Sequence, residues 1–112
     1  MPIQTMMPAM LKMLHDCAAM CEHTVHSLLQ RPDAHLRRHQ IRLLTECASI
    51  CHMCARSISS HSPVMKAMCD FCAYVCEVCG HECLRHNDHE SQMCGQMCLA
   101  CARECRSFAM AA

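Results

Sequence analysis

The chain has 112 residues, with 10 Lys plus Arg against 10 Asp plus Glu, so its formal net charge is zero. That balance excludes a binder of nucleic acid or of an acidic membrane surface that works through basic excess. Hydrophobic residues make up 53% and charged residues 18%, which excludes disorder and suits a single domain over 1–112.

Cysteine, methionine and histidine dominate what remains: 14 Cys, 12 Met and 10 His, beside one Tyr, two Phe and no Trp. A core built from this chain must be filled by Cys, Met, Leu and Ala. Such a Cys content first suggests a secreted disulfide scaffold. Scaffolds of that kind are rich in loops, and this chain has only two Gly and four Pro. The N-terminal MPIQTMMPAMLKMLHD has no basic stretch followed by an unbroken apolar one, which predicts no secretory leader and a cytoplasmic protein with reduced thiols. No run approaches ~18 uninterrupted apolar residues, so no membrane-spanning helix is expected.

The first helix is expected over about 6–29, with Thr5 as its candidate cap and Pro8 in its first turn. Its inward stripe reads Met6, Met10, Met13, Cys17, Met20 or Cys21, Thr24 and Leu28. Gln30-Arg31-Pro32-Asp33 breaks it. Asp33 is the expected N-cap of a second helix over about 34–59. That stripe is Leu44, Cys47, Cys51, Cys54 and Ile58. After the break at Ser59–Pro63, Ser62 caps a third helix over about 63–86, with Pro63 at its first position. Met65, Cys69, Cys72, Cys76, Cys79, Cys83 and His86 form its stripe. His86-Asn87-Asp88 is the third break, with Asn87 or Asp88 capping a fourth helix over about 89–108. Its stripe is Cys94, Cys98, Cys101, Cys105 and Phe108.

Steps alternating between three and four mark the inner seam of a helical bundle. Short connections favour antiparallel neighbours. The expected fold is therefore all-α, an antiparallel up-down-up-down four-helix bundle with a Cys-lined core. Leu11, Leu14, Leu43, Ile50, Val64, Phe71, Tyr74, Val75, Val78 and Leu99 flank the stripes and are expected to seal the helices together.

Residues three or four apart on a helix are neighbours, with Cβ atoms about 5–6 Å apart. Cys17 with Cys21, Cys47 with Cys51 and then Cys54, and the unbroken ladders from Cys69 to Cys83 and from Cys94 to Cys105 all have this spacing. Two thiolates so placed can pinch one soft ion, whereas a disulfide within a regular helix is strained. Soft thiolates select Cu(I), Zn(II) or iron–sulfur clusters. Zinc favours isolated tetrahedra, and clusters favour thiols converging from loops. Cu(I) accepts two or three sulfurs and lets one sulfur bridge two ions. Overlapping pairs then become overlapping sites, holding on the order of 10–20 Cu(I) per chain. Protons leave as the metal enters.

Met6, Met10 and Met13 continue the first stripe past Cys17. They meet Cys54, Met65, Cys69 and Cys105 at one end of the expected bundle. Neutral thioethers there suit capture of Cu(I) and its transfer inward. His86 extends the third stripe at the other end and is a candidate terminal ligand. His35, His39, His15, His52 and His61 are expected at the surface.

These features resemble the bacterial four-helix-bundle copper storage proteins. The likeness covers essentially the whole chain. It rests on Cys-x-x-x-Cys and Cys-x-x-Cys steps across four helices and on the Met-x-x-x-Met run ahead of Cys17 and Cys21. It implies reversible storage of many Cu(I) ions, a fold already formed without metal, and a homo-oligomer, commonly a tetramer. It also leaves room for a partner that delivers copper, a copper chaperone or a low-molecular-weight thiol. The N-terminus is like that of the cytosolic members and the Met-lined end like that of the exported ones. The rival readings are a thiol redox protein, for which Cys-x-x-Cys is also a mark, and a zinc or iron–sulfur binder. A di-iron bundle is excluded by the lack of any Glu-x-x-His motif.

Overall fold

A computed structural model describes residues 3–112. Four helices account for nearly all of it: α1 (Ile3–Leu29), α2 (Arg38–Ser59), α3 (Met65–Leu84) and α4 (His89–Ala111). Each helix packs on its neighbours in sequence, and α1 closes on α4, while among the described residues the backbones of diagonal helices stay apart and only side chains meet across the centre. This is the square up-down-up-down bundle that the stripes predict. The rod measures 47 × 19 × 18 Å. No helix is long and apolar enough to cross a membrane.

The helix ends follow local chemistry, with three departures from the expected boundaries. α1 runs from Ile3, so Pro8 lies inside the helix and Thr5 is not its cap. Pro8 lacks the N–H that would bond the Gln4 carbonyl, so the ladder loses that bond. Asp33 caps no α-helix. Its carboxylate pairs with Arg31 at 2.8 Å, and a 3-10 turn (Ala34–Arg37) intervenes before α2. Ser62 does accept from the Val64 N–H at 3.2 Å, but the regular helix begins only at Met65.

Between α2 and α3 the chain turns through His61, whose φ of 51° is the left-handed position usually given to Gly. Ser62 N–H bonds Ser57 O and His61 N–H bonds Ile58 O, the paired bonds of a Schellman ending. At the start of α4, the Asp88 carboxylate accepts from Ser91 N–H at 3.1 Å, a true N-cap.

The core is the stripe residues themselves: every Cys, with Leu14, Leu28, Leu44, Ile58 and Phe108, is fully buried. The flanking positions divide. Leu14 joins the core, and Leu11, Leu43, Ile50 and Val75 pack partly against it. Val64, Phe71, Tyr74 and Val78 do not seal helices; they stand exposed on the outer side of α3. Phe71, Tyr74 and Val78 line an apolar groove of about 470 Å³ with Leu43 and Ile50 of α2.

Asp88 does more than cap α4. It also accepts from Arg37 Nη2 at 2.9 Å, and both side chains are more than nine-tenths buried. Burial alone would raise the Asp88 carboxyl, but the bonds from Ser91 and Arg37 outweigh it and bring it down to about 2. Because this value lies below that of the unfolded chain, the pair's stability is fully present above the ordinary carboxylate range. It is lost as pH falls toward 2. Asp88→Asn should therefore cost about 2 kcal/mol at neutral pH, with the difference from wild type shrinking in acid. Thermal melts of the metal-free protein from neutral to acid pH check this. A difference that stays constant with pH would count against the pair.

Candidate metal centre

The four stripes bring fourteen thiols onto one axis, all free and all at 0% exposure. Small side chains at seam positions leave room for sulfur to meet sulfur across helices, where Leu would meet Leu. From the Ile58–Phe108 end, Cys54 Sγ lies 3.7 Å from Cys69 Sγ. Cys54, Cys72 and Cys105 form a group in which all sulfurs lie within 4.8 Å of one another. Cys72 is 4.0 Å from both Cys51 and Cys76. Next comes a group of four, Cys17, Cys51, Cys76 and Cys101, one from each helix. A second group of four follows: Cys17, Cys21, Cys47 and Cys98. Cys94 continues the row at 3.9 Å from Cys21. Cys79 and Cys83, both fully buried on the α3 stripe, complete it toward the far end.

Cys76, facing the Cys101 thiol and, closer still, Cys47 at 3.7 Å and Cys51 at 3.8 Å, is pushed far above the ordinary thiol range, with burial adding to the shift. The neighbouring Cys101 thiol, within 4.8 Å, pulls Cys17 the other way. Cys101, with Cys105 as its strongest influence, comes down to about 6. Such a set loses protons collectively, as a network.

Metal choice follows from connectivity. Two sulfurs on one ion with metal–sulfur bonds of about 2.3 Å can lie at most about 4.6 Å apart, and the neighbouring pairs at 3.7–4.0 Å meet that limit. The two groups of four share Cys17, so they cannot both be separate, closed tetrahedra. Soft monovalent ions bridged by shared thiolates suit this linkage, and isolated zinc sites do not.

The other predicted ligands divide between the two ends. Met10 is buried, and Met6 and Met13 are partly buried. Together they line a cavity of about 450 Å³ with Thr5, Ala9, Glu104 and Phe108. The cavity opens on the side between α1 and α4, because Phe108, one step beyond Cys105 on the same stripe, fills the core there. His86 is partly buried, and its Nε2 lies 3.1 Å from Glu82 Oε2, so this nitrogen is engaged by a carboxylate. The thiol groups of three and four do not include it.

Sequence reasoning missed three residues at that end and read a fourth, Asp88, only as a helix cap. Gln40 and Ser91 are fully buried, with Arg37 and Asp88 nearly so. Gln40 Nε2 donates to Ser91 Oγ at 2.8 Å and to Cys83 Sγ at 3.5 Å. Arg37 Nη1 donates to Gln40 Oε1 at 2.9 Å. A signal was present: Arg37 and Gln40 continue the α2 stripe backward from Leu44 by the same three- and four-residue steps, and Ser91 and Asp88 lie backward from Cys94 by two steps of three.

The arrangement defines a class, a helical bundle whose core is a continuous row of metal-binding thiols. The sequence model for "Copper storage protein" matches residues 3–110, and the chain belongs to that family. It is similar to an uncharacterised cysteine-rich protein of Bacillus subtilis, 38% identical over 94 residues, covering 84% of this chain and 87% of that one. Among solved structures, it resembles the Cu(I)-bound copper storage protein BsCsp3 at 37% identity and a TM-score of 0.87, covering 91% of this chain and 96% of that one. It also resembles a cytosolic copper storage protein from Streptomyces lividans carrying five coppers, at 26% identity and a TM-score of 0.92, covering 96% and 95% of the two chains.

Proposed function

We propose that this protein stores multiple Cu(I) ions inside the bundle, with all fourteen cysteines as thiolate ligands, and is not an enzyme. The observation that carries this reading is the joining of two four-thiol groups at Cys17, which turns separate sites into one row. Cu(I) replaces thiol protons as it enters, so loading releases protons and neutralises charge that a dry core could not hold. The fully buried, mid-helix thiols do not suit disulfide exchange, which needs an accessible thiolate.

Met6, Met10 and Met13 are the proposed point of entry. Their cavity touches the surface, and Met10 leads from it toward the core. A neutral thioether holds Cu(I) more weakly than a thiolate does, so an ion captured there moves inward downhill. At the far end, His86 would have to give up Glu82 to act as a ligand. The whole chain 1–112 acts as one cytoplasmic storage unit, serving copper homeostasis or detoxification and loaded by a copper chaperone or a low-molecular-weight thiol. It works as a homo-oligomer, of which a tetramer is one form, and the exposed groove around Phe71 and Tyr74 suits cover by a second copy.

Titrating the reduced, metal-free protein with Cu(I) against a competing chelator tests the reading. Uptake on the order of 10–20 ions per chain is expected. Saturation at one or two ions, or equal retention of zinc, would end it.

A further inference from the structure

The buried polar cluster at the His86 end is out of place in a core of thiols and hydrocarbon. Buried polar groups are costly unless satisfied, and among the described residues every buried side-chain nitrogen and oxygen has a partner. The way they are satisfied fixes a direction. Arg has only donors, so the Gln40 atom facing Arg37 must be the carbonyl oxygen. The amide nitrogen is thereby aimed the other way, at Cys83 Sγ and Ser91 Oγ. Arg37 is held in turn by Asp88, which also caps α4. Three connected links, Asp88 to Arg37, Arg37 to Gln40 and Gln40 to Cys83, thus end on a sulfur.

We propose that Gln40 is a positioning residue for stored copper: its amide N–H holds the Cys83 sulfur at the polar end of the row, and the row stops there. Resting on the storage reading, this assigns a role to a residue outside the thiol set. When Cys83 becomes a metal-bound thiolate, the donor remains correctly placed, since a charged acceptor strengthens such a bond. Beyond Gln40 no stripe carries a further sulfur: the Arg37–Asp88 pair and Leu28 stand there, with His86 held by Glu82. Copper at this end is therefore held by Cys83, with Cys79 and Cys94 beside it on the stripes.

The test compares Gln40→Glu and Gln40→Leu with wild type as full-length chains. Glutamate keeps the bond to Arg37 but turns an acceptor toward Cys83. In the metal-free protein the Cys83 thiol can donate to that carboxylate, so melting should be unchanged or raised. In the loaded protein thiolate and carboxylate repel each other. Gln40→Glu should then retain about one Cu(I) fewer, and surrender its most tightly held copper at roughly tenfold lower chelator strength. Ions retained are counted by native mass spectrometry. Gln40→Leu removes the donor without adding charge and should shift the same way by less, which keeps the test open if the glutamate variant misfolds. Wild-type retention in both variants overturns the inference, as does a parallel fall in stability of the metal-free and loaded forms. A wild type that itself saturates at one or two ions overturns the storage reading, which the variants cannot do.

Discussion

Cys17→Ser should cost the protein several stored ions, on the order of two or three, from a single lost sulfur. Cys17 is the member common to both four-thiol groups, and its sulfur also lies 3.9 Å from Cys98. A bridging thiolate serves more than one ion, so its loss unties more than one site. Serine has nearly the same shape but keeps its proton at neutral pH, and so offers neither charge nor a soft donor. Cys69→Ser is the matching control: Cys69 lies outside the groups of three and four, and its one close sulfur is Cys54 at 3.7 Å. It should lose about one ion. Counting retained Cu(I) by mass spectrometry separates the two, and equal losses would mean that the sites are independent rather than linked.

The same substitution should leave the metal-free bundle folded, because burying one hydroxyl costs about 1–3 kcal/mol and neighbouring thiols can satisfy it. The fold rests on Leu14, Leu28, Leu44, Ile58, Phe108 and the buried alanines. Copper adds to that stability by mass action, since the ligands converge only in the folded chain. The gain in melting temperature on loading should therefore be smaller for Cys17→Ser than for Cys69→Ser.

The inward faces could be read from the sequence because their three- and four-residue steps are unbroken over four helices. Two kinds of residue could not. Phe71, Tyr74 and Val78 are apolar and next to the α3 stripe, so periodicity places them beside the seam. In the folded bundle they stand exposed, along a groove shared with α2. Arg37, Gln40, Ser91 and Asp88 are on the stripes, but their polarity suggests loop ends and solvent. It takes the spatial meeting of the 3-10 turn with the start of α4 to make them partners, a contact across about fifty residues of chain. The 3-10 turn itself is a local matter that helix propensity does not resolve. Asp33 looks like a cap, but Arg31 claims its carboxylate.

Gly95→Ala should destabilise the bundle by about 2 kcal/mol, against the direction that helix propensity alone would give. Ala is favoured over Gly inside a helix by about 1 kcal/mol. At Gly95, however, a Cβ would sit 2.7 Å from Leu84 Cγ and Cδ2 and 3.0 Å from the Gly80 carbonyl oxygen. The side chain of Leu84 can move, but the Gly80 backbone can move only if α3 and α4 separate. Gly80 shows the reciprocal contact, 3.1 Å from the Gly95 oxygen and 3.0 Å from Leu99. Both glycines of the chain thus serve one close helix crossing, and Cys79, Cys83, Cys94 and Cys98 lie beside it in sequence. Gly80→Ala should be the milder change, because its nearest obstacle is a flexible side chain at a longer distance. Adding Leu84→Ala to Gly95→Ala should restore only part of the loss, since the carbonyl remains in the way. Thermal melts of the metal-free single and double variants check this order. A Gly95→Ala protein that melts at or above wild type would show that the helices can move apart freely. In the loaded protein, separation of α3 and α4 should also weaken the copper held between Cys83 and Cys94, while the ions grouped around Cys54, Cys72 and Cys105 stay in place.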